Sequence, residues 1–239
     1  NLPSPFAGDT YLGEVIDGKP HGKGKYIWGR NSRFSGDIYV GEWRNGKKNG
    51  RGTYSFSNGN KYVGEVKNGK PSGRGRFTYG QGSKFSGDIY AGEFKNGIKH
   101  GQGKYFFGHG SPKAGDSYIG EWKNGKPRGQ GTHTFANGNK YIGEFWSGRK
   151  TGKGTYIFGH SSKFAGDIYV GEVKNEKPNG SGTYIFGPQS KYAGDIYVGE
   201  WKNGLKNGYG TYTFSSGRIQ SGVWINDVLY YNQSFTPSH

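Results

Sequence analysis

The chain has 239 residues, of which 48 are Gly; it has no Cys and no Met, and 33 Lys and Arg against 17 Asp and Glu give it a formal net charge of +16. Gly is costly to order and weakens a helix interior by about 1 kcal/mol relative to Ala, which excludes a helical bundle, and the lack of Gly at every third position excludes collagen. Without Cys there are no disulfides, thiolate metal sites or cysteine nucleophiles, no apolar run approaches the ~20 residues of a spanning helix, and 19 Tyr, 15 Phe and 6 Trp supply apolar area that a disordered tail of this charge lacks.

In chain order, Ser4-Pro5-Phe6-Ala7-Gly8-Asp9 reads as the tail of a truncated preceding repeat covering 1–10. With Asn1 in place of Met, this reads as a processed form or an excised fragment whose upstream hairpin is missing. Eight repeats follow over 11–219, each opening on Tyr-x-Gly-Glu at Tyr11, Tyr39, Tyr62, Tyr90, Tyr118, Tyr141, Tyr169 and Tyr197. The steps are 28 or 23 residues, and Tyr11, Tyr90 and Tyr169 share a super-period of 79. In the second unit Tyr39, Gly41 and Trp43 alternate with Val40 and Glu42, and Gly52, Tyr54 and Phe56 alternate with Thr53 and Ser55 beyond the Asn45-Gly46 turn. Period two on both sides of an Asn-Gly turn predicts a β-hairpin, one per unit.

Short units return through connections such as Ser57-Asn58-Gly59-Asn60-Lys61, and long units insert five more residues there. The insert aromatics Phe34, Phe85, Phe164 and Tyr192 are expected to fold back over the aromatic face; Lys113 takes that place in one insert. The stretch 220–239 is a degenerate repeat that reads as a C-terminal cap, with homodimerisation through this apolar hairpin as the alternative.

A single sheet has no second layer to bury its apolar face, so rings must cover one another and lie over the Gly of a neighbouring strand. Of the acids, eight are motif glutamates and six belong to Gly-Asp steps, leaving only Asp17, Glu176 and Asp227 outside the pattern. Groups copied so regularly read as partners for strand Lys or turn amides, not as acid–base catalysts, and one carboxylate per Gly-Asp step is a poor start for Ca²⁺. The six His lack metal-ligand spacing, and the Gly-rich stretches lack the ending of a phosphate loop. No catalytic residue, cofactor or metal is assigned. Cations at Lys19, Lys47, Lys70, Lys99, Lys126, Lys150, Lys177 and Lys206 read as a turn-edge strip, and Arg33, Lys84, Lys163 and Lys191 as an insert-edge strip. Such strips suit a polyanionic surface, and equally they keep exposed edges from associating. Their spacing follows the hairpins and not a nucleic-acid groove, so no specific nucleic acid is expected.

The eight Tyr-x-Gly-Glu units resemble the MORN (membrane occupation and recognition nexus) repeat family, from about Tyr11 to Trp224. The five-residue insertions depart from the family pattern but leave the hairpins intact. The resemblance implies an all-β fold: an elongated, twisted, single-layer antiparallel sheet of eight to nine consecutive hairpins with no helical domain. It also implies a non-catalytic scaffold that binds a peptide or helix of a protein partner, with peripheral association to anionic, phosphoinositide-type membranes. On that reading the aromatic face, Tyr39, Trp43, Tyr54, Tyr62, Tyr90, Tyr118, Trp122, Tyr141, Tyr169, Tyr197 and Trp201, contacts the partner. Anionic lipid would meet Lys47, Lys70, Lys99, Lys126, Lys150, Lys177, Lys206, Arg33, Lys84, Lys163 and Lys191. The alternatives are a glycan or cell-wall-binding module, and an accessory domain of an enzyme whose catalytic part lies outside this chain. A cytoplasmic or peripheral-membrane location fits the reading; the sequence itself fixes no compartment.

Overall fold

The computed structural model describes residues 8–233, with side chains to 230, so most of the predicted leading tail and the end of the predicted cap lie outside the described residues. Among these residues there is no helix. The chain divides into two compact units, 1–126 and 127–239. The first holds β1 (Thr10–Ile16), β2 (Lys19–Ile27), β3 (Ile38–Arg44), β4 (Lys47–Ser55), β5 (Lys61–Lys67), β6 (Lys70–Thr78), β7 (Ile89–Lys95), β8 (Ile98–Phe106) and β9 (Ser117–Lys123), each antiparallel to the next. The second holds β10 (Lys126–Thr134), whose first residue belongs to the first unit, then β11 (Lys140–Trp146), β12 (Arg149–Ile157), β13 (Ile168–Lys174), β14 (Lys177–Ile185), β15 (Ile196–Lys202), β16 (Leu205–Thr213), β17 (Ile219–Ile225) and β18 (Val228–Gln233), paired in the same manner. Each unit is a single-layer meander of hairpins, in accord with the periodicity.

Register places like on like. Tyr39 pairs with Tyr26 on one side and Tyr54 on the other, and Gly41 pairs with Gly24 and Gly52. This leaves room for rings: a Cβ on Gly52 would stand 2.5 Å from Cζ of Tyr39, so the phenol lies where a side chain would be. Tyr39 is 0% exposed and Trp43 7%. Trp43 meets both Tyr11 and Tyr39 edge-on at 5.4 and 5.3 Å, and its indole N–H donates to the Gly24 carbonyl. Ring-on-ring packing of this kind supplies in one layer the burial that other folds obtain from two.

The motif glutamate sits where the ladder slips. In β3–β4 the register shifts between Gly41 and Trp43, and the Glu42 carboxylate accepts the Arg51 amide at 3.1 Å in place of the missing strand partner. Glu65, Glu93 and Glu144 do the same for Arg74, Gln102 and Lys153. The repeated glutamates thus serve backbone amides at a bulge.

The aspartate of the Gly-Asp step, half-buried at Asp9 and buried in the later repeats, holds consecutive elements together. Asp37 accepts the Tyr54 hydroxyl at 2.7 Å and the Ser57 amide at 2.8 Å, and Asp9, Asp88, Asp167 and Asp195 repeat the arrangement with Tyr26, Tyr105, Tyr184 and Tyr212. Burial works against the Asp195 carboxylate, yet hydrogen bonds from Tyr212 and Ser215 outweigh it and hold its pKa below the ordinary value.

Candidate partner-binding groove

The residues singled out from the sequence as contact surface form the floor of the aromatic face. Tyr39, Tyr62, Tyr90, Tyr118, Tyr141, Tyr169 and Tyr197 are all buried, as are Trp43, Trp122 and Trp201; only Tyr54 of that set is half-exposed, with its hydroxyl held by Asp37. The phenols Tyr39, Tyr62, Tyr90, Tyr141, Tyr169 and Tyr197 donate to the carbonyl of the glutamate three residues on, as Tyr62 does to Glu65 at 2.7 Å. Burial, reinforced by the nearby glutamate charges, pushes Tyr39, Tyr62, Tyr141 and Tyr197 up to about 12. These rings are spent on the sheet itself.

A second set of rings, from the ends of the even strands and the connections, lies over that floor. In the first unit Trp28 packs on Tyr54 at 5.2 Å, Tyr54 on Phe56 at 4.3 Å, and Tyr79 on Phe85 at 5.7 Å. In the second unit Phe158 meets Phe164 at 5.5 Å, Tyr184 meets Phe186 at 4.9 Å, and Phe186 meets Tyr192 at 5.4 Å. The insert aromatics Phe34, Phe85, Phe164 and Tyr192 thus fold back on the face as the spacing predicts. Phe164 is still 42% exposed and Tyr192 46%. In the second unit these rings wall a groove of about 800 Å³ that also reaches Pro178, Leu205, Lys206, Glu176 and Asp227. The last ring of each Tyr-x-Phe ending was visible in the sequence; what hid its role was that both tyrosine sets share one face, and only packing decides which set lies beneath.

The cations divide differently from the two strips read from the sequence. Lys47, Lys70, Lys126 and Lys177 are exposed at the first position of their strands. Lys99, Lys150 and Lys206 depart from that strip: they hold the second position, on the aromatic face, with Lys48, which the sequence reading passed over. Lys99 Nζ lies 4.3 Å from the centre of Tyr105 and 5.0 Å from Trp122, Lys48 lies over Tyr54 and Trp28, and Lys206 over Tyr212 and Trp224. Lys150 is 4% exposed and lies over Phe135. Burial lowers Lys48 and Lys99 to about 8, partly opposed by Asp37 and Asp88, and lowers Lys206 against the pull of Asp227 and Asp195. The sequence carries the cue: second positions alternate Pro20, Lys48, Pro71, Lys99, Pro127, Lys150, Pro178, Lys206. Arg33, Lys84, Lys163 and Lys191 are exposed, each resting on the ring of the following residue at 4.6 to 4.9 Å.

The opposite face of the first unit carries an open furrow of about 880 Å³ over the paired glycines, bordered by Val40, Val63, Arg51, Arg74 and Arg76. Among the described residues no group of three or more His, Asp or Glu gathers as a metal site, and no helix is long and apolar enough to cross a membrane.

Hairpins that bury one set of rings and display another define a repeat scaffold. A family model described as MORN repeat matches residues 11–33, 39–61, 62–84, 90–111, 118–140, 141–159, 169–191 and 197–217, and the chain belongs to that family. No curated protein matches the sequence. Among solved structures it is similar to the SAS-4 (dCPAP) TCP domain of Drosophila melanogaster, determined in complex with a proline-rich motif of Ana2 (dSTIL), with 15% identity and a TM-score of 0.41 over 73% of this chain and 84% of that one.

Proposed function

We propose that this MORN-repeat chain is a non-catalytic scaffold that holds a peptide or helix of a protein partner in the aromatic groove of residues 127–239. The observation that carries the reading is the groove itself, about 800 Å³ walled by rings that stay partly exposed above a fully packed floor. Large, rigid rings around an apolar cleft are the usual anchors of a binding hot spot. A quantitative pull-down tests it with the wild-type chain, a groove variant (Phe186→Ala with Tyr192→Ala) and an opposite-face variant (Val170→Ser with Val198→Ser). Partners retained by the opposite-face variant and lost by the groove variant support the reading; partners indifferent to the groove variant contradict it.

A second reading, peripheral association with anionic membranes, is favoured by the exposed insert-edge cations, Arg33 and Lys84 in the first unit and Lys163 and Lys191 in the second. A lysine or arginine near an anionic leaflet contributes about 1 kcal/mol. Lys99, Lys150 and Lys206 contribute little to such a surface, because their charges rest on rings.

A further inference from the structure

Nine two-residue hairpin turns are described, and in seven of them the second turn residue is Gly: Gly18, Gly46, Gly69, Gly97, Gly125, Gly148 and Gly204, all at positive φ. The other two carry acids in the same left-handed conformation, Glu176 at φ 68° and Asp227 at φ 70°. A side chain there is strained where Gly is not, so the acids are retained against the preference of the turn. They are two of the three acids outside the repeat pattern of a strongly basic chain. Both are exposed, and both border the same aromatic groove.

Asp227 also pulls the Lys206 charge up against burial, but a turn acid is not what every lysine on the aromatic face requires. The turn amide of Glu176 donates to the Lys150 carbonyl and that of Asp227 to the Lys206 carbonyl. Gly69 and Gly125 make the same bonds to Lys48 and Lys99, which also lie on ring faces and have Asp37 and Asp88 of the Gly-Asp steps, not a turn residue, as their acidic neighbours. One Asp227 oxygen accepts the Lys206 amide at 2.8 Å, which orients the carboxylate beside the groove.

We infer that the groove of residues 127–239 takes a protein segment whose apolar stretch is flanked by two basic side chains, one received by Glu176 and the other by Asp227. The inference rests on the groove being the partner site. Four strands separate the two turns, which at about 4.8 Å per strand sets the carboxylates roughly 19 Å apart. The two basic residues therefore stand about 13 positions apart if the segment is helical, or about 6 if it is extended. Pro178, Leu205 and Lys206 near the turns, and Tyr184, Phe186 and Tyr192 toward the other end of the strands, line the groove that the apolar stretch would enter.

The test is selection of random 20-residue displayed peptides on the intact chain, followed by affinity measurement of the winners. Winners are expected to carry a Lys or Arg on each side of an apolar core, to lose roughly tenfold in affinity to Glu176→Gly with Asp227→Gly, and to be replaced by acid-flanked peptides when both positions are Lys. The Gly variants restore the residue used by the other seven turns, so a loss reports charge and not misfolding. Winners that depend on Phe186 but show no basic pair and ignore both double variants would overturn the inference and leave the groove reading standing. An absence of winners, or winners indifferent to Phe186→Ala, would overturn both.

Discussion

Asp88 and Asn60 occupy equivalent steps of their repeats and divide the labour of one hydrogen-bond site. Asp88, 0% exposed, accepts the Tyr105 hydroxyl and the Gly108 amide; Asn60 accepts only the Gly80 amide, and the ring opposite it is Phe77, which has no hydroxyl to place. Asp88→Ala leaves two buried donors unsatisfied and is expected to cost about 2–3 kcal/mol in chemical denaturation. Asp88→Asn with Tyr105→Phe recreates the Asn60–Phe77 pair and recovers most of that loss; a double variant no more stable than Asp88→Ala would refute the pairing. The lysines on the aromatic face set a second residue-scale expectation. Lys48 and Lys99 titrate near 8 in the folded chain and at the ordinary 10.5 when unfolded, so between those values the unfolded chain binds more protons and stability rises with pH. The buried phenols have the opposite sign: Tyr39 and Tyr62, raised from 10.0 to about 12, erode stability as pH climbs past 10. Denaturation midpoints should therefore rise from pH 8 to about 10 and then fall, and Lys48→Met with Lys99→Met should remove most of the rise. An unchanged rise in the double variant would mean that these lysines are already solvated.

A hairpin here depends on two glycine tasks that differ in kind. Gly52 yields its side-chain space to the Tyr39 ring, and Gly52→Ala is expected to cost about 2 kcal/mol by forcing that ring off its neighbours. The turn glycines supply positive φ, and Glu176→Gly is expected to stabilise the chain by about 1 kcal/mol, readable as a higher melting midpoint. Stabilisation by removing a native side chain would identify Glu176 as a residue kept for something other than folding; a loss of stability would assign it to the fold. The hairpins and their turns were legible because Tyr-x-Gly-Glu and Asn-Gly recur at fixed offsets that only a period-two pattern satisfies. Which rings face a ligand was not. Tyr39 and Tyr54 lie on one face by parity alone, and only the empty volume over Gly52 lets Tyr39 sink while Tyr54 and Phe56 ride above it. Lys99, grouped with Lys126 by composition, is one register position further along its strand, and that single step carries it from the exposed edge onto the rings.

At the scale of the whole molecule, the composition that marks the fold also limits what the surface is free to do. Most acids serve the backbone or a buried phenol, so the net charge of +16 is expressed by cations with few acidic neighbours outside the repeat pattern. Sedimentation with anionic vesicles is expected to be salt-sensitive and to weaken severalfold on Lys163→Glu with Lys191→Glu, while Lys99→Gln leaves it nearly unchanged; equal effects from both would place Lys99 among the exposed cations. Whether the groove of residues 127–239 seats a partner can be read with a photo-crosslinking amino acid placed at Phe164, on the groove wall, and separately at Val170, on the opposite face of the same unit, with adducts mapped by mass spectrometry in cells of the source organism. One dominant protein adduct is expected from position 164, joined through a segment with apolar residues, and none above background from position 170. Equal adducts from both positions, or a dominant adduct from position 170 alone, would contradict that seating.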